Sequence, residues 1–259
     1  MSKKATRQSA IVARLSSNPT LRVGELAEEF GVTGETIRRD LDDLSARGTI
    51  SRTYGGAVLR SRSEPSLSKR HTEHVEERTA IAHHAASRLG DASVLMIGSG
   101  ATTTHIARRL ATVLKNVTVI THSFSVATVL SINPTIRVMI VPGIYHAGEG
   151  ATHGGQALRF LEGLNADWAI LGASGISPEG PSDALIEASE VYGAMIARSA
   201  RRMVACDSTK FDRLFTARYA RWSQIDLLVT ETAPTGPLRA SLDREKVEIA
   251  VAPPRGPRV

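Results

Sequence analysis

From Gly90 onward, the sequence alternates short apolar segments with longer amphipathic ones. The apolar segments are VLMI (94–97), VTVI (117–120), RVMIV (137–141), WAIL (168–171), MVAC (203–206) and DLLVT (226–230). Helical candidates lie between several of them, at 102–114, 155–164 and 186–199. Continuous apolar runs of this length, separated by helices, are typical of parallel strands that are buried on both faces. The alternation therefore predicts an α/β domain with a mostly parallel sheet covered on both sides.

The first 59 residues have a different pattern, in which three short helices precede a pair of strands. Helical periodicity covers 7–15, 23–30 and 34–47, and strand candidates at 50–53 and 57–59 flank a Tyr-Gly-Gly turn. Gly31 is placed to end the second helix and Thr33 to cap the third. Two helices joined by a three-residue turn and followed by a hairpin predict a winged helix-turn-helix, whose second helix enters the major groove of DNA.

The third predicted helix carries apolar residues on one side and charges on the other. At 100° per residue, Ile37, Leu41 and Leu44 fall within about 40° of one another. Arg38 and Arg39 point away from them, among acidic residues. This outer face allows two interpretations. It is either a solvated surface with ion pairs four residues apart, or a recognition helix whose arginines contact guanine edges and phosphates.

The charge distribution favours a polyanionic partner for this part of the chain. The net charge is +6, and residues 1–70 contain 13 Lys or Arg and 8 Asp or Glu, a net of +5. A basic amino-terminal part on a nearly neutral remainder is typical of nucleic-acid binding, with a solvated basic terminus as the alternative. The DNA-contact candidates are Thr33, Glu35, Thr36, Arg38, Arg39, Arg52, Tyr54 and Gly55.

A polar, basic segment interrupted by proline, RSRSEPSLSKR (60–70), separates the two patterns. Such a composition is typical of a linker. We therefore predict a helix-turn-helix domain at 1–59, a linker at 60–71, and an α/β domain at 72–259 that begins with a helix at 72–89.

A glycine-rich turn follows the first apolar strand of the second domain, in VLMIGSGATTTHIARRL (94–110). Gly98 and Gly100 permit a tight turn, and the amides and hydroxyls of a helix N-terminus favour an anion. Thr103 stands in place of the third glycine of a dinucleotide fingerprint, and His122 in place of its acidic residue. A smaller phosphorylated ligand therefore fits better, with a plain strand-to-helix turn as the alternative.

Polar residues also follow later predicted strands, at 121–123, 174–175 and 207–210. In open α/β sheets the ligand crevice lies outside the carboxyl ends of the strands, so these clusters are expected to converge with the glycine-rich turn. Lys210 would then place a positive charge beside a phosphate.

These motifs resemble those of the DeoR-type bacterial regulators, over residues 6–232. The matching segments are TIRRDL (36–41), GGA (55–57), GSGATT (98–103), THS (121–123), LGASGIS (171–177) and DSTKF (207–211). Tyr54 stands where the family usually has histidine. The resemblance implies a winged helix-turn-helix that binds a double-stranded DNA operator, followed by a Rossmann-like α/β sensor domain similar to ribose-5-phosphate isomerase.

By the same resemblance, the effector is a small phosphorylated sugar or polyol. Its implied contacts are Ser99, Gly100, Thr102, Thr103, Ser123, Gly175, Glu187 and Lys210. Three positions depart from the family pattern: Gly98 replaces an aspartate, His122 an asparagine and Tyr192 a frequent lysine. Without a carboxylate at position 98, the turn cannot accept a sugar hydroxyl there, which leaves the identity of the effector open.

The expected function is a transcription regulator, most simply a repressor of carbohydrate or polyol metabolism genes. No catalytic residue and no cofactor are assigned. The eight histidines, all between His71 and His153, lack the cysteine or acidic cluster that would complete a metal site. Two alternatives stay open: an enzyme like a sugar-phosphate isomerase, with Glu187 as its nominated carboxylate, and a DNA-binding protein with a vestigial pocket.

A homodimer or homotetramer is expected, because a single helix-turn-helix rarely reaches useful specificity. Cys206 is the single cysteine, which excludes a disulfide within the chain and fits a reducing cytoplasm. The sequence shows neither a secretory signal pattern nor an apolar run long enough to span a bilayer. A cytoplasmic protein without membrane contact is therefore expected.

Overall fold

The computed structural model describes residues 3–17, 20–46, 50–53, 56–59 and 64–253. The chain forms two compact units, Met1–Ser63 and Glu64–Val259. Their boundary falls inside the predicted linker. The later part of that segment differs from the prediction, because Leu67–Thr72 is helical and belongs to the second unit. Its polar composition suggested a solvated chain, but Arg70 is buried there against acidic partners.

The first unit is a helix-turn-helix with a small antiparallel sheet. Its elements are α1 (Lys3–Ser17), β1 (Thr20–Arg22), α2 (Val23–Glu29), α3 (Gly34–Ala46), β2 (Ile50–Thr53) and β3 (Gly56–Leu59). The strand order is β1-β3-β2, so the predicted hairpin of β2 and β3 gains β1 as a third strand. The sequence analysis did not predict β1.

The core of this unit is formed by the apolar sides of its helices. Its buried apolar residues are Ile11, Leu15, Leu21, Val23, Leu26, Ile37, Leu41, Leu44 and Ile50. They include the whole predicted inner stripe of α3. Asp40 is also buried, and its carboxylate accepts hydrogen bonds from Arg7 Nε at 2.5 Å and Gln8 Nε2 at 3.1 Å. These bonds tie α1 to α3 and fix the side of α3 that faces solvent.

The second unit is built around a seven-stranded sheet. Its helices are α4 (Leu67–Thr72), α5 (Val75–Ala86), α6 (Ala101–Val113), α7 (Phe124–Leu130), α8 (Gly155–Glu162), α9 (Ile186–Ala197) and α10 (Gly236–Arg244). Its strands are β4 (Val94–Ile97), β5 (Thr118–Thr121), β6 (Arg137–Ile140), β7 (Ile144–His146), β8 (Ala151–His153), β9 (Ala166–Leu171), β10 (Gly175–Ser177), β11 (Gly180–Asp183), β12 (Ser199–Ala205), β13 (Ala217–Arg218), β14 (Leu227–Thr230) and β15 (Glu248–Val251). Two 3₁₀ turns, Ser208–Lys210 and Trp222–Gln224, complete it.

The main sheet has the order β15-β14-β12-β9-β4-β5-β6, and all of its strand pairs are parallel. Successive residues of β4 enter different cores: Met96 belongs to one buried cluster, Leu95 and Ile97 to the other. Because side chains alternate across a strand, the sheet is covered on both faces. The predicted fold class, a helix-turn-helix followed by an α/β domain, is confirmed. In the described ranges, no helix is both long and apolar enough to cross a membrane.

The order of the strands also locates the ligand crevice. The chain adds β5 and β6 on one side of β4, and then β9, β12, β14 and β15 on the other. The carboxyl end of β4 is therefore the switch point, where open α/β sheets form their ligand sites. The glycine-rich turn at 98–100 directly follows β4.

Candidate functional sites

The solvent side of α3 carries the central DNA-contact candidates. The side chains of Arg38 and Arg39 are 58% and 78% exposed. Glu35 pairs with both, at 3.7 Å from Arg38 Nη1 and 3.3 Å from Arg39 Nε. Exposed pairs of this kind contribute only a few tenths of a kcal/mol to stability. The pairs with Glu35 therefore hold the two arginines only weakly.

The turn before α3 is held by the predicted cap. Thr33 Oγ1 accepts a hydrogen bond from the backbone amide of Thr36 at 3.2 Å, and the two hydroxyls are 2.9 Å apart. This bond fixes the start of α3, where contacts to bases are expected. Arg52 lies in β2, but its side chain is outside the described part of the structure, as are Tyr54 and Gly55 entirely.

The second candidate site is a small cavity of about 20 Å³ at the carboxyl end of β4. It is lined by Glu64, Arg70, Arg78, Ser99, Gly100, Ala101, Thr102, Glu149, Gly172, Ala173, Ser174, Asp183, Ala188, Tyr192 and Lys210. The polar residues expected after β4, β9 and β12 thus meet at one point, as their position at the same edge of a parallel sheet requires.

A helix N-terminus and a buried cation give this cavity its anion-binding character. Gly100 precedes α6 with φ +124°, a conformation that L side chains rarely adopt, and no side chain in the described part of the chain caps the helix. The uncapped amides of the first turn favour negative charge. Lys210, in the 3₁₀ turn after β12, is buried at the same cavity.

Four of the eight predicted effector contacts line this cavity: Ser99, Gly100, Thr102 and Lys210. The other four lie elsewhere. Thr103 is fully buried, and its hydroxyl donates to the Gly100 carbonyl at 3.0 Å. Ser123 caps α7 by accepting the Val126 amide at 3.3 Å.

Gly175 and Glu187 complete that set of four. A Cβ at Gly175 would lie 2.5 Å from the Arg213 carbonyl oxygen, so this glycine is required by close backbone packing, and its neighbour Ser174 lines the cavity. Glu187 is exposed in the first turn of α9.

The three departures from the family pattern are in contact with one another around Ser99. Tyr192 Oη donates to the Ser99 carbonyl at 3.0 Å, and His122 Nε2 accepts the Ser99 amide at 3.0 Å. A Cβ at Gly98 would lie 2.8 Å from Tyr192 Cε1. An aspartate at 98 and this Tyr192 conformation are therefore incompatible.

His122 is neutral in this arrangement. Since its Nε2 accepts a backbone amide, its proton is on Nδ1, which donates to the Thr152 carbonyl at 2.9 Å. Complete burial, assisted by His153, lowers the pKa of His122 to about 3. The Ser99 amide is therefore engaged by His122 and is not among the donors that face a ligand.

Among the described residues, no group of three or more His, Cys, Asp or Glu side chains is placed to hold a metal ion.

Sequence reasoning placed Asp207 in the polar cluster at 207–210 but did not identify it or Asp183 as the acidic groups near the buried cations. Arg78 donates to Asp207 Oδ2 from Nε at 3.2 Å and from Nη2 at 3.0 Å. Burial would raise the pKa of Asp207, but the Thr209 hydroxyl, Arg78 and Lys210 together hold it below its ordinary value. Burial and the nearby carboxylates raise the pKa of Asp183 to about 6.

A helix-turn-helix unit followed by a parallel α/β unit with a polar cavity at its switch point is the architecture expected of a DNA-binding protein that senses a ligand. Comparison with protein families agrees with this. Residues 7–63 match the DeoR-like helix-turn-helix domain, and residues 73–232 match the DeoR C terminal sensor domain. The chain belongs to the DeoR family, as its motifs predicted.

Curated relatives match nearly the whole chain. The Glycerol-3-phosphate regulon repressor of Escherichia coli is 29% identical, covering 90% of this chain and 92% of its own. The transcriptional repressor GlcR of Bacillus subtilis is 30% identical, covering 93% and 94%. Among solved structures, ribose 5-phosphate isomerase from Plasmodium falciparum has a TM-score of 0.38 and 14% identity, with 52% of each chain covered. That likeness is too distant to bear on activity.

Proposed function

We propose that this protein is a transcription regulator that binds operator DNA through α3 and is released by a small phosphorylated sugar or polyol. The observation that carries the proposal is the presence, in one chain, of exposed arginines on a helix-turn-helix and a buried lysine at a helix N-terminus. The names of the relatives support it: they include the Glycerol-3-phosphate regulon repressor and the Lactose phosphotransferase system repressor of Lactococcus lactis.

On the DNA side, the amino-terminal part of α3 would enter the major groove. This places Glu35, Thr36, Arg38 and Arg39 nearest the base edges, where arginine is suited to guanine and to phosphate. Thr33, Arg52, Tyr54 and Gly55 would lie beside the groove. A homodimer or homotetramer would let two such helices engage successive half-sites about one helical turn of DNA apart.

On the ligand side, the phosphoryl group would bind between the first turn of α6 and Lys210. A ligand that binds better to the arrangement with low operator affinity shifts the population toward it. The coupling is reciprocal, so operator DNA must weaken ligand binding by the same factor. This relation makes the ligand response measurable from either site.

The isomerase alternative has less support. It depended on Glu187 as the catalytic carboxylate, and Glu187 is exposed at the start of α9 instead of lining the cavity. The similar curated proteins are named as regulators. A sensing role for the cavity is therefore the simpler assignment.

The test measures both sites in the same protein. In fluorescence anisotropy with duplex DNA from upstream of the gene, Arg38→Ala and Arg39→Ala should each weaken specific binding about tenfold or more. Arg239→Ala, which removes an exposed arginine from the second unit, is the matched control. In thermal shift with glycerol 3-phosphate, saturation at a hundred times Kd should stabilise the wild type by about 2.7 kcal/mol, and Lys210→Ala should remove the shift.

Unchanged affinity in both arginine variants would refute the assignment of α3 to the groove. A Lys210→Ala protein that responds to ligand like the wild type would place the pocket elsewhere.

A further inference from the structure

The cavity at Lys210 already contains an anion, and that anion belongs to the chain itself. Glu64 Oε1 lies 3.0 Å from Lys210 Nζ and 3.6 Å from Arg70 Nη1, and Glu64 Oε2 accepts a hydrogen bond from the Ser174 hydroxyl. The side chains of Glu64 and Lys210 are only 8% and 10% exposed. A glutamate followed by proline and serine in a polar segment would ordinarily be solvated, so this burial requires an explanation.

The residues after Glu64 are folded so that its carboxylate stays in the cavity. Arg70 Nε donates to the Pro65 carbonyl at 2.9 Å, and Arg70 Nη2 contacts both carboxylate oxygens of Glu149 at 2.6 Å. Arg78 donates to the carbonyls of Arg70 and Glu73. The cations that hold this segment line the same cavity.

The space left beside Glu64 is too small for a ligand. A volume of about 20 Å³ accepts roughly one water molecule. A phosphoryl group would need the same donors that Glu64 uses, namely the ammonium group of Lys210 and the hydroxyl of Ser174. The Glu64 carboxylate and a phosphoryl group would compete for these donors, because the repulsion between two anions that contact the same buried ammonium group is large.

We propose that Glu64 is a tethered competitor of the phosphorylated ligand, and that its displacement transmits ligand binding to the DNA-binding unit. We call this carboxylate in its buried position the Glu64 plug. The inference rests on the proposed function, since it concerns regulation of the same cavity. Glu64 is the first residue of the second unit, directly after Ser63. Its displacement therefore acts at the first residue of the second unit, beside the boundary with the DNA-binding unit.

The test compares Glu64→Gln with the wild type in calorimetric titrations with inorganic phosphate and with glycerol 3-phosphate. Glu64→Gln keeps the shape and removes the charge. It should bind both probes about tenfold more tightly, the gain expected if about nine-tenths of wild-type molecules hold the plugged state. Glu76→Gln, which removes an equal charge from an exposed position, should bind as the wild type does. Glu64→Asp, which retracts the carboxylate by one methylene, serves the same purpose if the amide variant fails to fold.

Hydrogen exchange supplies a second readout. Amides of 64–73 should exchange faster when the wild type binds glycerol 3-phosphate, and should already exchange fast in ligand-free Glu64→Gln. Equal affinities and equal exchange in wild type and Glu64→Gln, with binding lost in Lys210→Ala, would overturn the plug and leave the proposed function standing. If neither the wild type nor Glu64→Gln bound inorganic phosphate or glycerol 3-phosphate, the proposed ligand site would be overturned, and the Glu64 plug with it.

Discussion

The two groups of cations in this protein are neutralised in different ways. On α3, Arg39 is largely solvated and shares the exposed carboxylate of Glu35 with its neighbour. In the cavity, Lys210 is buried and faces the buried carboxylate of Glu64. Water solvates the α3 arginines whether or not they pair with Glu35. The buried Lys210 instead requires an anionic partner at all times, because its charge is removed from water. The α3 surface is therefore ready for a polyanion, while the cavity admits a new anion only by exchange.

The largest effect is expected from breaking a buried pair in the second unit. Asp207→Asn would leave Arg78 buried without its carboxylate partner, and we expect the free energy of unfolding to fall by about 3–5 kcal/mol. Both tryptophans, Trp168 and Trp222, lie in this unit. Urea denaturation followed by tryptophan fluorescence therefore reports on it directly.

The matched control for that experiment is Asp243→Asn, which breaks the exposed pair between Arg239 and Asp243 in the same unit. Its denaturation midpoint should stay near that of the wild type. Equal losses in the two variants would mean that burial does not separate the two kinds of ion pair.

A smaller change in the free energy of unfolding is expected from the titration of His122, the neutral histidine beside the cavity. The unfolded chain protonates His122 with a pKa near 6.5, whereas the folded protein keeps it neutral down to about pH 3. Between these values the unfolded state binds more protons, so acid destabilises the fold. At pH 5 the loss attributable to His122 is about 2 kcal/mol.

The His122→Asn variant isolates this contribution, because asparagine does not titrate. Subtracting its unfolding free energy from that of the wild type at each pH removes the contributions of other groups, including His105 and Asp183. The difference should shrink as the pH falls from 7 to 5. A difference that is constant with pH would show that His122 has the same pKa in the folded and unfolded states.

The main sheet could be predicted because its strands are continuous apolar runs, and each of the six predicted segments overlaps a strand. β15 was missed because EIAV at the sheet edge alternates exposed and buried residues and is not uniformly apolar. Ser99, Thr102 and Lys210 could be placed at one site because parallel topology brings strand ends together. The acidic partner of Lys210 could not be placed. Glu64 and Lys210 are 146 residues apart, and only tertiary packing pairs them.

The smallest change in the free energy of unfolding is expected from a substitution on α3. In the DNA-free protein, Glu35→Gln removes the carboxylate that pairs with Arg38 and Arg39, and should lower the free energy of unfolding by only a few tenths of a kcal/mol. Since the tryptophans lie in the other unit, helical circular dichroism in urea is the suitable measurement. The loss should vanish at high salt, because exposed charges are screened. A cost comparable to that of Asp207→Asn would mean that the arginines are bound to Glu35 as firmly as Arg78 is to Asp207. In that case α3 would also need an exchange of anions before it could meet DNA.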